Sequence, residues 1–165
     1  MKKFFESVVK YDKLSDTGEP VKVTELYLLT GEDCTDVEQK ILADIAPFVM
    51  SGSEVTSIKV SKYIEFIPEN TLISHVRSVV DNVIEMGSME KVQTRYYGAK
   101  LSFITLDELS GKEKKTSVNY VVQAVSVEAA NKTLTLFMQQ SMGDYVVNNI
   151  VETKIVDVLL FDEDK

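Results

Sequence analysis

The stretch Phe4-Phe5-Glu6-Ser7-Val8-Val9-Lys10-Tyr11-Asp12-Lys13-Leu14, with Ser15-Asp16-Thr17-Gly18-Glu19-Pro20 and Val21 to Leu29 after it, decides the fold. Aromatic and β-branched residues dominate Phe4 to Leu14, which predicts a strand. The next six residues are all suited to a turn, and Val21 to Leu29 returns as the second arm of a hairpin. The same order of residue classes recurs from Tyr96. Phe4-Phe5 falls on Tyr96-Tyr97, Gly18 on Gly111, Lys22 on Lys115, Tyr27 on Tyr120, Ile58 on Ile150 and Lys62 on Lys154. One extra residue in the second turn keeps this register, so the chain reads as two copies of one unit.

The rest of each copy follows from spacing. Thr35 with Glu38 forms a capping box, which predicts a helix start. Val37, Ile41 and Ile45 then make one apolar stripe, and Pro47 and Gly52 mark the helix end. Val55 to Ile67 reads as a strand stopped by Pro68. In the second copy, Tyr96 to Leu106 is a strand, Asp107 to Gly111 a turn and Lys114 to Ala124 the return strand. Ser126 is the expected N-cap, with Ala130, Leu134 and Phe137 or Met138 on one stripe. Gly143 ends that helix, and Tyr145 to Leu160 carries the last strand, broken near Asn148-Asn149.

Between the copies, Leu72, Ile73, Val76, Val79, Val80, Val83 and Ile84 follow helical spacing, although the valines allow a β-rich alternative. The expected architecture is α+β. Two tandem β-hairpin–helix–strand (ββαβ) repeats, residues 1–69 and 94–165, are joined by a linking helix over 70–93. The helices pack on one side of mixed sheets in one compact unit. The reason is burial: one helix and three strands cannot cover both faces of their sheet, so the copies should cover each other.

Composition bounds the function. The chain has 165 residues, 44% hydrophobic and 27% charged, as in globular proteins. No apolar run reaches the length needed to span a bilayer, and charges interrupt the apolar start, so no membrane partner is expected. Cys34 is the single cysteine, which excludes an internal disulfide and fits a reducing, cytoplasmic compartment. The net charge of −8 disfavours non-specific phosphate binding on average. Yet Lys91 to Val118 holds six basic residues against three acidic ones. That local strip offers a docking surface on an otherwise acidic protein.

At the second hairpin, the run Phe103-Ile104-Thr105-Leu106-Asp107-Glu108-Leu109-Ser110-Gly111-Lys112-Glu113-Lys114-Lys115-Thr116 resembles the family catalogued as domain of unknown function 4494. Val21 to Leu28 and Ile58 to Glu65 resemble it too. The resemblance implies a protein of Bacteroidetes or of their crAss-like phages, working in the host cytoplasm. It implies no catalytic residue. The longer connector Asn70 to Gln93 hints at a phage version.

No reaction centre emerges from the residues. His75 is the only histidine and sits on the polar side of the expected linking helix, as a solvated helix histidine does. Cys34 lies in an acidic loop, Glu32-Asp33-Cys34-Thr35-Asp36, which argues for a structural thiol. One cysteine and one histidine fall short of a zinc site, so no metal or cofactor is expected. Asp144 followed by Glu152-Thr153-Lys154 matches the Asp…Glu-x-Lys pattern by which metal-dependent nucleases hold Mg²⁺ and aim water. Its bland counterpart is a solvent-facing edge with cross-strand charge pairs.

The remaining signal is basic and aromatic residues interleaved on the first strand of each copy: Lys3, Phe5, Lys10 and Tyr11, then Arg95, Tyr97 and Lys100, continued by Lys112, Lys114 and Lys115. Single strands bind such surfaces because bases stack on rings while cations track phosphates. Alternation also sends half of these rings into a core. The expectation is a non-enzymatic protein that binds single-stranded nucleic acid. The alternatives are a protein-interaction module (adaptor, virion component or inhibitor of a host factor) and a metal-dependent nuclease. Exposed hairpin edges make a homodimer an open expectation.

Overall fold

The structure, a computed structural model, describes residues 3–69, 93–140 and 143–161. The elements are β1 (Lys3–Leu14), β2 (Pro20–Gly31), α1 (Cys34–Ile45), β3 (Val49–Val60) and β4 (Tyr63–Ile67). They continue as β5 (Arg95–Leu106), β6 (Glu113–Ala124), α2 (Val127–Met138), β7 (Asp144–Glu152) and β8 (Ile155–Leu159). A single 3₁₀ turn, Ala46–Phe48, leads from α1 into β3.

The protein is mostly β, which corrects the α+β expectation: strands hold 59% of the described residues, against two short helices. The repeating order is ββαββ rather than ββαβ, because each final strand is two strands. Val55 to Ile67 was expected to run unbroken, but β3 stops at Val60 and β4 starts at Tyr63. The second break falls between Glu152 and Ile155, not at Asn148-Asn149. The linking helix expected over 70–93, and His75 on it, lie outside the described residues except for Gln93.

The chain forms two compact units, not one. The first is Met1–Lys62 with Lys154–Lys165; the second is Tyr63–Thr153. These units do not coincide with the repeats. In the first, the sheet order is β3-β1-β2-β8, and β8 comes from the second repeat. In the second, the order is β4-β6-β5-β7, and β4 comes from the first repeat. Each unit therefore takes its last strand from the other copy, and those strands pair in parallel: Leu28 with Val158 and Leu29 with Leu159, Phe66 with Val121 and Ile67 with Val122. All the other ladders are antiparallel.

Local chemistry explains each unit. In β1 the odd residues Phe5, Ser7, Val9 and Tyr11 are buried on one face. Val37, Ile41 and Ile45 of α1 close over them, together with Tyr27 and Leu29. Burying an aliphatic side chain of this size contributes about 1.5–3 kcal/mol, so the apolar stripe holds the helix down. The N-cap is Asp33, whose side chain accepts the Asp36 N–H at 2.8 Å, rather than Thr35. In the second unit, Ser126 caps α2 as its position predicts, accepting the Ala129 N–H at 3.1 Å. Ala130, Leu134 and Met138 then cover Tyr97, Ala99, Leu101 and Val122. The turn glycines Gly18 (φ +86°) and Gly111 (φ +71°) take the left-handed backbone that a side chain would resist.

Candidate functional site

The pleat splits the expected nucleic-acid platform in two. Phe5, Tyr11 and Tyr97 are 3%, 2% and 4% exposed, locked in the helix-covered cores. No base can stack on them, which corrects their assignment as ligand contacts. Lys10 and Lys100 are exposed on the opposite faces of their sheets, Lys10 between Thr24 and Glu54, Lys100 between Asn119 and Asn149. Lys3 is exposed at the start of β1. Lys112 sits in the β5–β6 turn. Lys114 pairs with Thr105 and Lys115 with Ile104, so these two neighbours point to opposite faces. Arg95 lies 3.0 Å from Glu152 in an exposed ion pair. The aromatic residue that does lean to the Lys100 face is Tyr96, half-buried with its ring 6.1 Å from Phe66. Strand parity was the signal that separates Tyr96 from Tyr97.

The nuclease pattern does not converge. Asp144 opens β7 and Glu152 closes it. Eight residues of extended chain separate their Cα atoms by roughly 26 Å, far beyond a shared Mg²⁺. Glu152 is engaged by Arg95, and Lys154 belongs to the first unit while the two acids belong to the second. Among the described residues, no three His, Cys, Asp or Glu side chains are grouped to hold a metal ion.

Three features stand out in place of those expectations. The first is the β5–β6 turn. Asp107 organises it: its carboxylate accepts the Leu109 N–H at 3.0 Å and the Ser110 hydroxyl at 2.9 Å. Its backbone N–H donates to Lys112 O at 2.9 Å, and its carbonyl accepts the Gly111 N–H at 2.8 Å. The Leu109 N–H and the Ser110 hydroxyl together hold the Asp107 carboxyl below its ordinary pKa. This fixed turn leaves Leu109 fully exposed, with Leu106 67% exposed at the strand end. The matching β1–β2 turn carries Ser15, Asp16 and Thr17 and presents no apolar tip.

The second feature is a carboxylate held by two phenols inside the first unit. Tyr11 and Tyr27 both donate to Glu25 Oε1, Tyr27 at 3.1 Å. Burial, then the bond to Glu25, pushes the Tyr11 phenol up to about 12. Burial and the Glu25 charge push Tyr27 higher still. The equivalent strand positions in the second unit are Phe103, Val118 and Tyr120, so that unit has no such cluster.

The third is a pair of equivalent grooves, each between a helix and the end of a parallel strand. In the first unit the groove lies along α1, lined by Lys40, Ala43, Asp44 and Phe161, with a volume of about 410 Å³. Burial and the nearby Asp157 charge raise the pKa of Asp44 there. In the second unit the groove lies along α2 and encloses about 320 Å³.

A duplicated β-rich scaffold with exchanged end strands, whose distinguishing groups lie in a hairpin tip and helix-side grooves, is the class of protein these observations define. The chain belongs to the family described as domain of unknown function DUF4494, whose sequence model matches residues 3–161. No curated protein matches it. No helix among the described residues is long and apolar enough to cross a membrane.

Proposed function

We propose that the protein is a non-enzymatic protein-interaction module that presents its β5–β6 hairpin to a partner. The observation that carries this reading is Leu109, wholly in water on a turn whose backbone is already fixed by Asp107. A pre-ordered turn loses little conformational entropy on binding, so an apolar side chain held on it makes an efficient anchor. Leu106 adds apolar area, and Lys112, Lys114 and Lys115 suit an acidic rim on the partner. Origin in Bacteroidetes or their crAss-like phages, and action in the host cytoplasm, belong to the same proposal through the family resemblance.

The test is mild crosslinking and co-purification from native or infected cells with wild type and Leu109→Ser side by side. A partner recovered with wild type and lost with Leu109→Ser supports the reading. An identical set of recovered proteins with both overturns it. Single-stranded nucleic-acid binding rests on the cations alone once Phe5, Tyr11 and Tyr97 are buried, and a labelled oligonucleotide titrated across a salt series tests it.

A further inference from the structure

The duplication extends to the way each copy hands over its last strand. After β3, the Ser61 N–H donates to Phe4 O at 2.8 Å, which pins the chain to the first unit. Two residues on, Tyr63 opens β4 in the second unit. The other copy does the same in reverse. After β7, the Thr153 N–H donates to Tyr96 O at 2.9 Å, and its hydroxyl donates to the same oxygen at 2.8 Å. Two residues on, Ile155 opens β8 in the first unit. Phe4 and Tyr96 are equivalent residues, so both crossings use one device: a pinned residue, a lysine (Lys62 or Lys154), and a strand that pairs in parallel.

The donated strands are built into the cores. Ile67 of β4 is buried in the second core, and the Tyr63 hydroxyl sits where a Cβ on Gly98 would come within 2.7 Å of it. Ile155 of β8 is buried, and Leu159 and Phe161 pack on the first core. Each unit is therefore complete only when a β1–β4 half and a β5–β8 half are both present. A crossing of one residue reaches about 3.5 Å, so neither donated strand can leave alone for a distant acceptor. Whole halves can change partner with every one of these contacts kept, because the covalent link between them is the segment from Ile67 to Arg95.

We propose that two copies of this chain form a dimer by exchanging halves, so that β1–β4 of each copy is completed by β5–β8 of the other. The partner's chemistry is that of the contacts already made: Val158 and Leu159 beside Leu28 and Leu29, and Phe66 and Ile67 beside Val121 and Val122. The contacts are the same in monomer and dimer, so concentration during folding decides between them. A tethered half meets its own partner at an effective concentration of about a millimolar, and copies crowded to that level while folding compete with it. Once closed, two parallel ladders and two cores hold the dimer against dilution. The dimer carries two β5–β6 turns, but its formation does not depend on the reading of Leu109.

The experiment refolds the full chain from urea at about 1 µM and at about 1 mM, then measures mass by light scattering after gel filtration. Monomer alone is expected at the lower concentration. A dimer fraction that survives dilution is expected at the higher one. Phe161→p-benzoylphenylalanine then reports which chain supplies β8, because residue 161 lies against α1. Irradiation should join residue 161 to α1 within one chain in the monomer, and between chains in the dimer, giving a covalent dimer on a denaturing gel. Leu109→Ser should form the same share of dimer as wild type. Wild type that stays monomeric at about 1 mM overturns the proposal, as does a dimer that returns to monomer at once on dilution. A stable dimer joined only within its own chains, or one lost in Leu109→Ser, also overturns it. None of these failures touches the hairpin reading, which is scored by a different partner.

Discussion

The Lys40 ammonium stands over the Phe161 ring, 4.9 Å from its centroid, while also bonding Asp36 at 2.8 Å. This contact fastens the chain end to α1, and its neighbour Thr30 bonds the Phe161 backbone. Phe161→Ala removes a partly buried ring and a cation–π contact. The expected cost is about 1–2 kcal/mol, below that of a fully buried phenylalanine. Urea unfolding measures it, and Lys40→Met separates the cationic share from the packing share. A Phe161→Ala midpoint equal to wild type would remove the anchor from the account.

Gly31 ends β2 where α1 folds back. A Cβ built there would lie 2.5 Å from Val37 Cγ2 and 3.2 Å from Asp36 Oδ2. Val37 is fully buried, so it has nowhere to move. Gly31→Ala is expected to destabilise the first unit by about 1–3 kcal/mol, the usual cost of overpacking. Denaturant midpoints for this variant and wild type decide the matter.

Tyr11 and Tyr27 give the protein an alkaline limit. Both phenols ionise near 10 when unfolded, whereas burial raises Tyr11 to about 12 and Tyr27 above it. The unfolded chain therefore releases these protons first. Stability from this pair is complete below pH 10 and is lost as pH climbs from 10 through 12 and beyond. Tyrosinate absorbance should show Tyr11 and Tyr27 titrating late, together with Tyr120, whose phenol is also raised by burial and the Glu65 charge. Glu25→Gln, which removes the neighbouring negative charge, should bring the Tyr11 and Tyr27 midpoints down; late ionisation unchanged in that variant would assign the effect to burial alone.

Glu152→Ala tests the bland reading of the Asp…Glu-x-Lys pattern. Arg95 and Glu152 are exposed by 64% and 48%, and exposed pairs of this kind contribute about 0–1 kcal/mol. A thermal shift within that bound is expected, with no change in the behaviour of Mg²⁺-treated DNA relative to wild type. Cleavage present in wild type and abolished by the substitution would restore the nuclease.

Much of the scaffold was readable in one dimension. The turn signals at Gly18 and Gly111, the capping serine at Ser126 and the stripe Val37, Ile41, Ile45 each depend on neighbours a few residues away, so spacing exposes them. The break at Ser61-Lys62 did not show, because no glycine or proline marks it. What breaks the strand there is a long-range event: β4 leaves for a parallel partner, Asn119 to Val122, in the other copy. The α+β expectation fell short on strand because β3 begins at Val49, six residues before the expected start, while the helix expected over 70–93 lies outside the described residues except for Gln93. For the site, composition flagged rings and cations correctly as present but could not assign them to faces. Phe5 and Tyr97 went inward because odd positions of β1 and β5 meet the helices, and only the helix position fixes that parity.

The parentage of β8 has a temporal corollary. The free edge of β2 cannot be capped until residues 155–159 have left the ribosome, although everything else in that sheet was synthesised before residue 61. During translation the hydrogen-bonding groups of Leu26 to Leu29 stay open for most of the chain's length, a template for unwanted strand addition. Early β2 edges on neighbouring nascent chains are thus the place where misassembly should start, and slowing release of the last residues should worsen it.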